Sequence, residues 1–266
     1  MTLPIAILAG GLATRMRPLT ERVPKVLLDV AGRPFAEHQL RLLRDSGITD
    51  VVFCVGFLGE MVEQTLGDGS RYGVSIKYSY DGDTLCGTGG ALIRALPLLG
   101  DAFLIMYGDS YLDCDYAAVA RTFVASRKLG LMAVIRNEGR WDKSNVLFDN
   151  GNIVRYDKKN RTPDMLYIDY GLGALRRDAL DPWCGAASGG ADDPVRARGG
   201  QDEGIRPSEA VLDLADVYHD LSLRNELAGF EMHDRFYEIG SPEGLRETDE
   251  YISGRPDAAP RGEDGR

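Results

Sequence analysis

Residues 4–19 read Pro4-Ile5-Ala6-Ile7-Leu8-Ala9-Gly10-Gly11-Leu12-Ala13-Thr14-Arg15-Met16-Arg17-Pro18-Leu19, and Val23-Pro24-Lys25 follows. The run 4–9 predicts a buried strand. Two glycines placed directly after it permit a tight turn and a close backbone approach, so that amide N–H groups converge on an anion at the carboxyl edge of a sheet. From 10 to 25 there are four cations (Arg15, Arg17, Arg22, Lys25) against one anion (Glu21), a local charge of 4 − 1 = +3. Arginine forks and a compact ammonium suit phosphate oxygens. A solvated basic loop is the other reading the charge count allows.

That segment stands out because the whole chain is acidic. Its 266 residues carry 31 basic and 41 acidic side chains, a net charge of −10, with 44% hydrophobic residues. The length fits one large or two small domains, and the apolar fraction excludes a disordered chain. A negative chain is a poor general binder of nucleic acid or anionic membrane, so any polyanionic ligand must meet a local positive patch. No apolar run is long enough to span a bilayer, and the N-terminus has no signal-peptide pattern, which predicts a cytoplasmic protein. Cys54, Cys86, Cys114 and Cys184 form no CxxC pair, so four reduced, mostly buried thiols are expected rather than a zinc site.

Outward from the glycine loop, short apolar strands alternate with amphipathic stretches. The pattern predicts a helix from about 34 to 46, a strand over 51–55, a helix over 59–66, a strand over 74–80, a helix capped by Thr88 and running to about 99, and a strand over 102–107. Such βαβ units imply a Rossmann-like α/β fold with a mixed, mainly parallel sheet flanked by helices. Beyond Asp115 a helix and a strand over 131–136 precede Asn145–Phe148 and Ile153–Tyr156, joined across Asp149-Asn150-Gly151-Asn152. Asn-Gly between apolar runs signals a hairpin, so a small antiparallel subregion is expected beside the parallel core. The globular domain is expected over 1–253, with a mobile loop at 185–206 and a disordered tail at 254–266. There is no internal repeat.

Neither GxxxxGK[ST] nor GxGxxG is present, which removes two common nucleotide folds. Leu85-Cys86-Gly87-Thr88-Gly89-Gly90 opens a helix with backbone free for a ligand, or is an ordinary helix entry. Met106-Tyr107-Gly108-Asp109-Ser110 sets a carboxylate at a strand end, where it is either a loop cap or an oxygen ligand for Mg²⁺. Asp113 and Asp115 read as helix caps. The three histidines form no triad, and no Ser or Cys occupies a nucleophile elbow.

The run LAGG-x-x-TR-x-RPLT followed by PK resembles the sugar-1-phosphate nucleotidyltransferase family, with Ala13 where that pattern carries Gly. The resemblance covers about residues 3–250. It implies that Leu8, Ala9, Gly10, Gly11 and Thr14, with Gly87 and Thr88, hold the nucleotide. Arg15 would grip the triphosphate and Lys25 would reach the phosphates and assist the attacking sugar phosphate, making Arg15, Lys25 and Asp109 the catalytic set. Phe236-Tyr237-Glu238-Ile239-Gly240-Ser241-Pro242-Glu243 is similar to a family segment whose acid is Asp. Glu238 stands there, implying Mg²⁺ held by Asp109 and Glu238. Gly108, Asp157, Lys158, Tyr170 and Gly171 fall near the sugar phosphate. Implied partners are an NTP and a sugar 1-phosphate, GTP with a heptose or hexose 1-phosphate being favoured. A uridylyltransferase of an N-acetyl sugar 1-phosphate and a non-catalytic sugar-nucleotide-binding subunit are the alternatives. A homo-oligomer is compatible with the chain.

Overall fold

The computed structural model describes residues 2–82, 85–184 and 211–255. The expected loop at 185–206 and the tail beyond Arg255 lie outside the described residues.

Strands β1 (Ile5–Leu8), β2 (Asp50–Val55), β3 (Ser75–Tyr80) and β4 (Ala102–Tyr107) alternate with helices α1 (Phe35–Asp45), α2 (Gly59–Leu66) and α3 (Gly87–Ala95). They pair in the order β3-β2-β1-β4, all parallel, as right-handed crossovers through helices require. Then come α4 (Tyr116–Ser126), β5 (Gly130–Arg136), β6 (Val146–Asp149), β7 (Asn152–Tyr156), β8 (Tyr167–Arg176), α5 (Leu214–Leu223), β9 (Leu227–Met232) and α6 (Pro242–Ser253). The antiparallel strands are not a separate annex. β8 pairs antiparallel with β4, and the single nine-stranded sheet continues β8-β5-β9-β7-β6. Tyr167 of β8 also opposes Val146 of β6, so the far end of the sheet curls back on itself.

Alternation along the strands explains the layering. Ile5, Ile7, Val51, Phe53, Val55, Leu104 and Met106 face one core, which α1, α2 and α4 cover with Leu40, Leu43, Val62, Leu66, Val119 and Phe123. Ala6, Leu8, Val52, Cys54, Phe103 and Ile105 face the other, covered by α3 and α5 through Ala91, Leu92, Ala95, Val217 and Leu221. Strands buried on both faces read as continuous apolar runs, the reason the parallel half was legible from sequence. A third cluster, Val30, Phe35, Tyr111, Ile239 and Ile252, docks α6 and the strand before it. Burial of a side chain such as Ile239 contributes about 1.5–3 kcal/mol. Of the cysteines only Cys54 is fully buried; Cys86, Cys114 and Cys184 are half-buried, and all four are free thiols.

The hairpin joining β6 and β7 turns on Asn150 (φ 45°) and Gly151 (φ 79°), the two left-handed residues of a type I′ turn. A Cβ on Gly151 would meet nothing within 4 Å. Gly151→Ala should therefore cost about 1 kcal/mol through backbone strain alone, read as a lower urea midpoint with an unchanged slope.

Candidate active site

The carboxyl ends of β1 and β4 open into two adjoining cavities. The first, of 230 Å³, is lined by Leu8, Ala9, Gly10, Gly11, Ala13, Gly87, Thr88 and Gly108, with Lys25 and Asp109 at one end. Of the two loop glycines, Gly10 is crowded, whereas a Cβ on Gly11 would meet nothing within 4 Å. A Cβ on Gly10 would lie 2.9 Å from Asp81 Oδ2 and 3.2 Å from the Gly56 amide nitrogen. Gly108 serves the same close crossing: its N–H donates to Leu8 O (2.9 Å), and a Cβ there would sit 2.9 Å from that oxygen. Gly108, expected near the sugar phosphate, lines the first cavity and not the second. Thr14 lines neither cavity. It opens a short 3₁₀ turn after Ala13, whose carbonyl accepts from Thr20 Oγ1 (2.9 Å) and Met16 N (3.0 Å).

The second cavity, of 620 Å³, is more polar. Arg15, Lys158, Tyr170, Gly171 and Glu238 line it, together with Arg140, Trp141, Asp169, Arg235 and Phe236. Asp109 and Tyr107 belong to both walls. Lys25 Nζ is 2.9 Å from Asp109 Oδ2. Ser110–Tyr111 pairs antiparallel with Tyr237–Glu238, and Ile239 N donates to Asp109 O at 2.9 Å. As a result, Asp109 Oδ2 and Glu238 Oε1 lie 3.4 and 3.5 Å from the point where a Cβ of Gly240 would stand. Burial pushes the Glu238 carboxyl above the ordinary glutamate range, and the Asp109 charge adds to the rise, against the pull of Arg15 and Lys25. Of the four cations counted between 10 and 25, only Arg15 and Lys25 line these cavities.

Asp157 does not line the second cavity. Burial alone would raise its carboxyl, but hydrogen bonds from Asn160 N (2.7 Å), Arg155 (3.1 Å) and Lys159 N (2.9 Å) outweigh that and hold it well below the carboxylate range. It fastens the turn that presents Lys158. Asp169, by contrast, is raised by burial, eased by the Gly171 N–H (2.9 Å) and the Tyr107 hydroxyl (3.4 Å). Asp115 caps α4 by accepting from Ala118 N (2.8 Å), whereas Asp113 is no cap: it is ion-paired to Arg255.

The start of α3 also differs from expectation. The helix begins at Gly87, and Thr88 does not cap it; its hydroxyl donates to Asp213 Oδ1 (2.9 Å) and accepts from Leu214 N (2.8 Å), fastening the start of α5. The Gly89 N–H donates to Leu212 O (2.9 Å), and a Cβ on Gly87 would stand 2.4 Å from that oxygen. These glycines admit the backbone of residues 211–213, so part of the helix N-terminus is already satisfied within the protein.

The sequence pattern described as nucleotidyl transferase matches residues 5–144, more than half the chain. The chain belongs to the nucleotidyl transferase family. Among its relatives, the N-acetylmuramate alpha-1-phosphate uridylyltransferase of Neisseria meningitidis is 46% identical over 44% of this chain and 51% of its own. The mannose-1-phosphate guanyltransferase beta-B of Xenopus laevis is 31% identical over 66% of this chain and 50% of its own. The chain spans about half the length of the curated relatives it matches. In fold it is similar to a Bacillus anthracis structure described as a glucose-1-phosphate thymidylyltransferase (TM-score 0.76, 21% identity, 95% and 96% of the two chains) and to HddC of Yersinia pseudotuberculosis (TM-score 0.68, 16% identity, 94% and 100%). Among the described residues no helix is long and apolar enough to cross a membrane.

Sequence reasoning missed Asp81 and Trp141. Asp81 is 4% exposed at the floor of the first cavity. Burial raises its carboxyl, against the pull of the Cys86 thiol, which donates at 3.4 Å, and of the Arg94 charge. An acid after a strand reads as a turn residue, and only the folded sheet turns this one inward. Trp141 packs on Phe236 (centroids 5.8 Å), which meets the edge of Tyr170 (5.5 Å), giving the second cavity an aromatic wall.

Ala13 stands in the left-handed region (φ 46°, ψ 43°), where the family pattern carries Gly. Ala13→Gly should hold or raise stability by up to about 1 kcal/mol, the opposite sign to an ordinary Ala→Gly change. Thermal unfolding of both proteins reads it.

Proposed function

We propose that the chain transfers a nucleotidyl group from a nucleoside triphosphate to a sugar 1-phosphate, releasing pyrophosphate. The observation that carries this reading is the meeting of two cavities at Asp109, flanked by Lys25 on one side and by Arg15 and Glu238 on the other. A nucleoside with its phosphates occupies the first cavity and the sugar phosphate the second, so the reacting groups meet where the cations stand.

Asp109 and Glu238 fit a divalent cation, and Mg²⁺ suits them: two hard carboxylates stand side by side next to Gly240, and the Lys25 ammonium compensates charge there. Such an ion, when bound, neutralises phosphate oxygens and fixes their geometry. The chain's own groups do the remainder. The Gly10 and Gly11 backbone approaches the phosphates, and Arg15 and Lys25 stabilise charge spread over the equatorial oxygens. Lys158 and Asp169 orient the sugar. An oxygen of the sugar phosphate attacks the α-phosphorus in line, the bond to the β-phosphate oxygen breaks, and pyrophosphate leaves with the electron pair. No covalent enzyme intermediate is needed.

For the base, Asp81 supports GTP. A carboxylate only accepts hydrogen bonds; guanine offers two adjacent N–H donors, whereas uracil offers one N–H between two carbonyls that a carboxylate repels. The favoured acceptor is a heptose or hexose 1-phosphate. The second reading is UTP with an N-acetyl sugar 1-phosphate, which the Neisseria relative supports.

A pyrophosphate-release screen of the common NTPs against sugar 1-phosphates tests the reaction. Release is expected from the wild type with GTP. In folded Asp109→Ala and Arg15→Ala it should fall at least about a hundredfold; unchanged rates would refute the site, and nucleotide binding without release would leave a non-catalytic binding protein. In the same screen Asp81→Asn should lower kcat/KM for GTP about tenfold to a hundredfold, the size of an unmatched buried donor, and leave UTP little changed.

A further inference from the structure

The side chain of Gln39, on α1, is 1% exposed and belongs to neither cavity. Its Nε2 donates to Ser110 O at 2.8 Å and approaches Tyr107 O at 3.4 Å. These two carbonyls bracket Gly108-Asp109, where β4 ends and the chain turns across the junction of the cavities. Ser110 is the register partner of Glu238 in the two-residue ladder, and Ile239 N returns to Asp109 O. One amide therefore grips the strand that sets Asp109 and Glu238 relative to each other. The Gln39 carbonyl oxygen, in contrast, is buried with no hydrogen-bond partner. An apolar side chain of this size would spare that unpaired oxygen but would take the donor away from Ser110 O and Tyr107 O, so the amide is kept for the grip it has on the turn. We infer that Gln39 is a positioning residue, which holds the Asp109 turn in register with Glu238 so that both carboxylates meet one divalent cation. The inference rests on the metal-pair reading proposed above and deepens it.

The choice of a glutamine follows from the geometry. Tyr107 O and Ser110 O are two acceptors that need a donor with two hydrogens, and an amide nitrogen supplies both from a helix that its neighbours Leu40 and Leu43 fix in the core. His38, next to it, is occupied differently, its Nε2 lying 2.7 Å from Val30 O. Methionine at position 39 keeps the length and loses the donor. Glutamate keeps the shape and replaces the donor with an acceptor that opposes both carbonyls.

The test compares wild type, Gln39→Met and Gln39→Glu by Mn²⁺ titration followed by electron paramagnetic resonance, with a non-hydrolysable GTP analogue present, beside thermal unfolding and steady-state kinetics. Gln39→Met should keep its melting temperature within a few degrees, while its apparent Kd for Mn²⁺ rises about 10–100-fold, the usual loss when a group supporting a metal ligand is removed. Its kcat should fall in step, and KM for the NTP should change little, because the base cavity is untouched. Gln39→Glu should be the weaker Mn²⁺ binder of the two. Unchanged Mn²⁺ affinity in folded Gln39→Met overturns the proposal, and so does loss of the fold in both variants, which would make Gln39 a stability residue. Failure of the wild type to bind Mn²⁺ would remove the metal pair itself. Tight Mn²⁺ binding by the wild type without pyrophosphate release would refute the reaction while leaving the positioning role standing.

Discussion

A ladder of two residues, Ser110–Tyr111 against Tyr237–Glu238, joins the first half of the chain to its last helix, and the site depends on it. Without that ladder Asp109 would be a lone carboxylate at the end of β4, paired to Lys25 at 2.9 Å. With it, a second carboxylate arrives beside Gly240 as Asp109 does, and the Asp109 charge adds to the rise of the Glu238 carboxyl. So short a ladder is not stable alone. It is held by the small cluster of Val30, Phe35, Tyr111, Ile239 and Ile252, by the stacked rings of Tyr237 and Tyr251 (3.9 Å), and by Ala31 N donating to Asp249 at 2.7 Å.

The electrostatics follow the same economy. In a chain of net charge −10, five cations line the two cavities, Lys25 in the first and Arg15, Arg140, Lys158 and Arg235 in the second. Arg15 and Lys25 reach the cavity walls, and Lys25 is already engaged by Asp109. Acidic groups elsewhere on the rim, among them Asp142, Glu243 and Glu247, disfavour longer polyanions. The two cavities divide the work by polarity, a mainly apolar one behind the glycine loop and a polar one with an aromatic wall beyond Asp109.

The glycines carry a lesson about reading motifs. Gly10 and Gly108 are bare because backbone and Asp81 crowd them at the carboxyl edge of the sheet. Gly87 and Gly89 are bare for a different reason: the backbone of residues 211–213 lies on them, with Thr88 tied to Asp213. Gly-rich sequence at a helix start is the same signal in both cases, and only the fold reveals whether protein or ligand fills the space.

The sequence by itself determined the local and the periodic. Strands buried on both faces, the helices between them, the Asn150-Gly151 turn, the Asp115 cap and the family motif around Gly10 and Gly11 all depend on near neighbours, whose chemistry is written along the chain. Tertiary structure decided what depends on distant partners. It fused the antiparallel strands into one sheet by pairing β8 with β4, and it turned Asp81 inward. It engaged Asp157 in a turn and left Lys158 facing the chamber, and it set Gln39 beneath the Asp109 turn. Register, burial and the filling of a carbonyl's lone pairs are properties of pairs of segments, and no stretch of sequence read alone contains its partner.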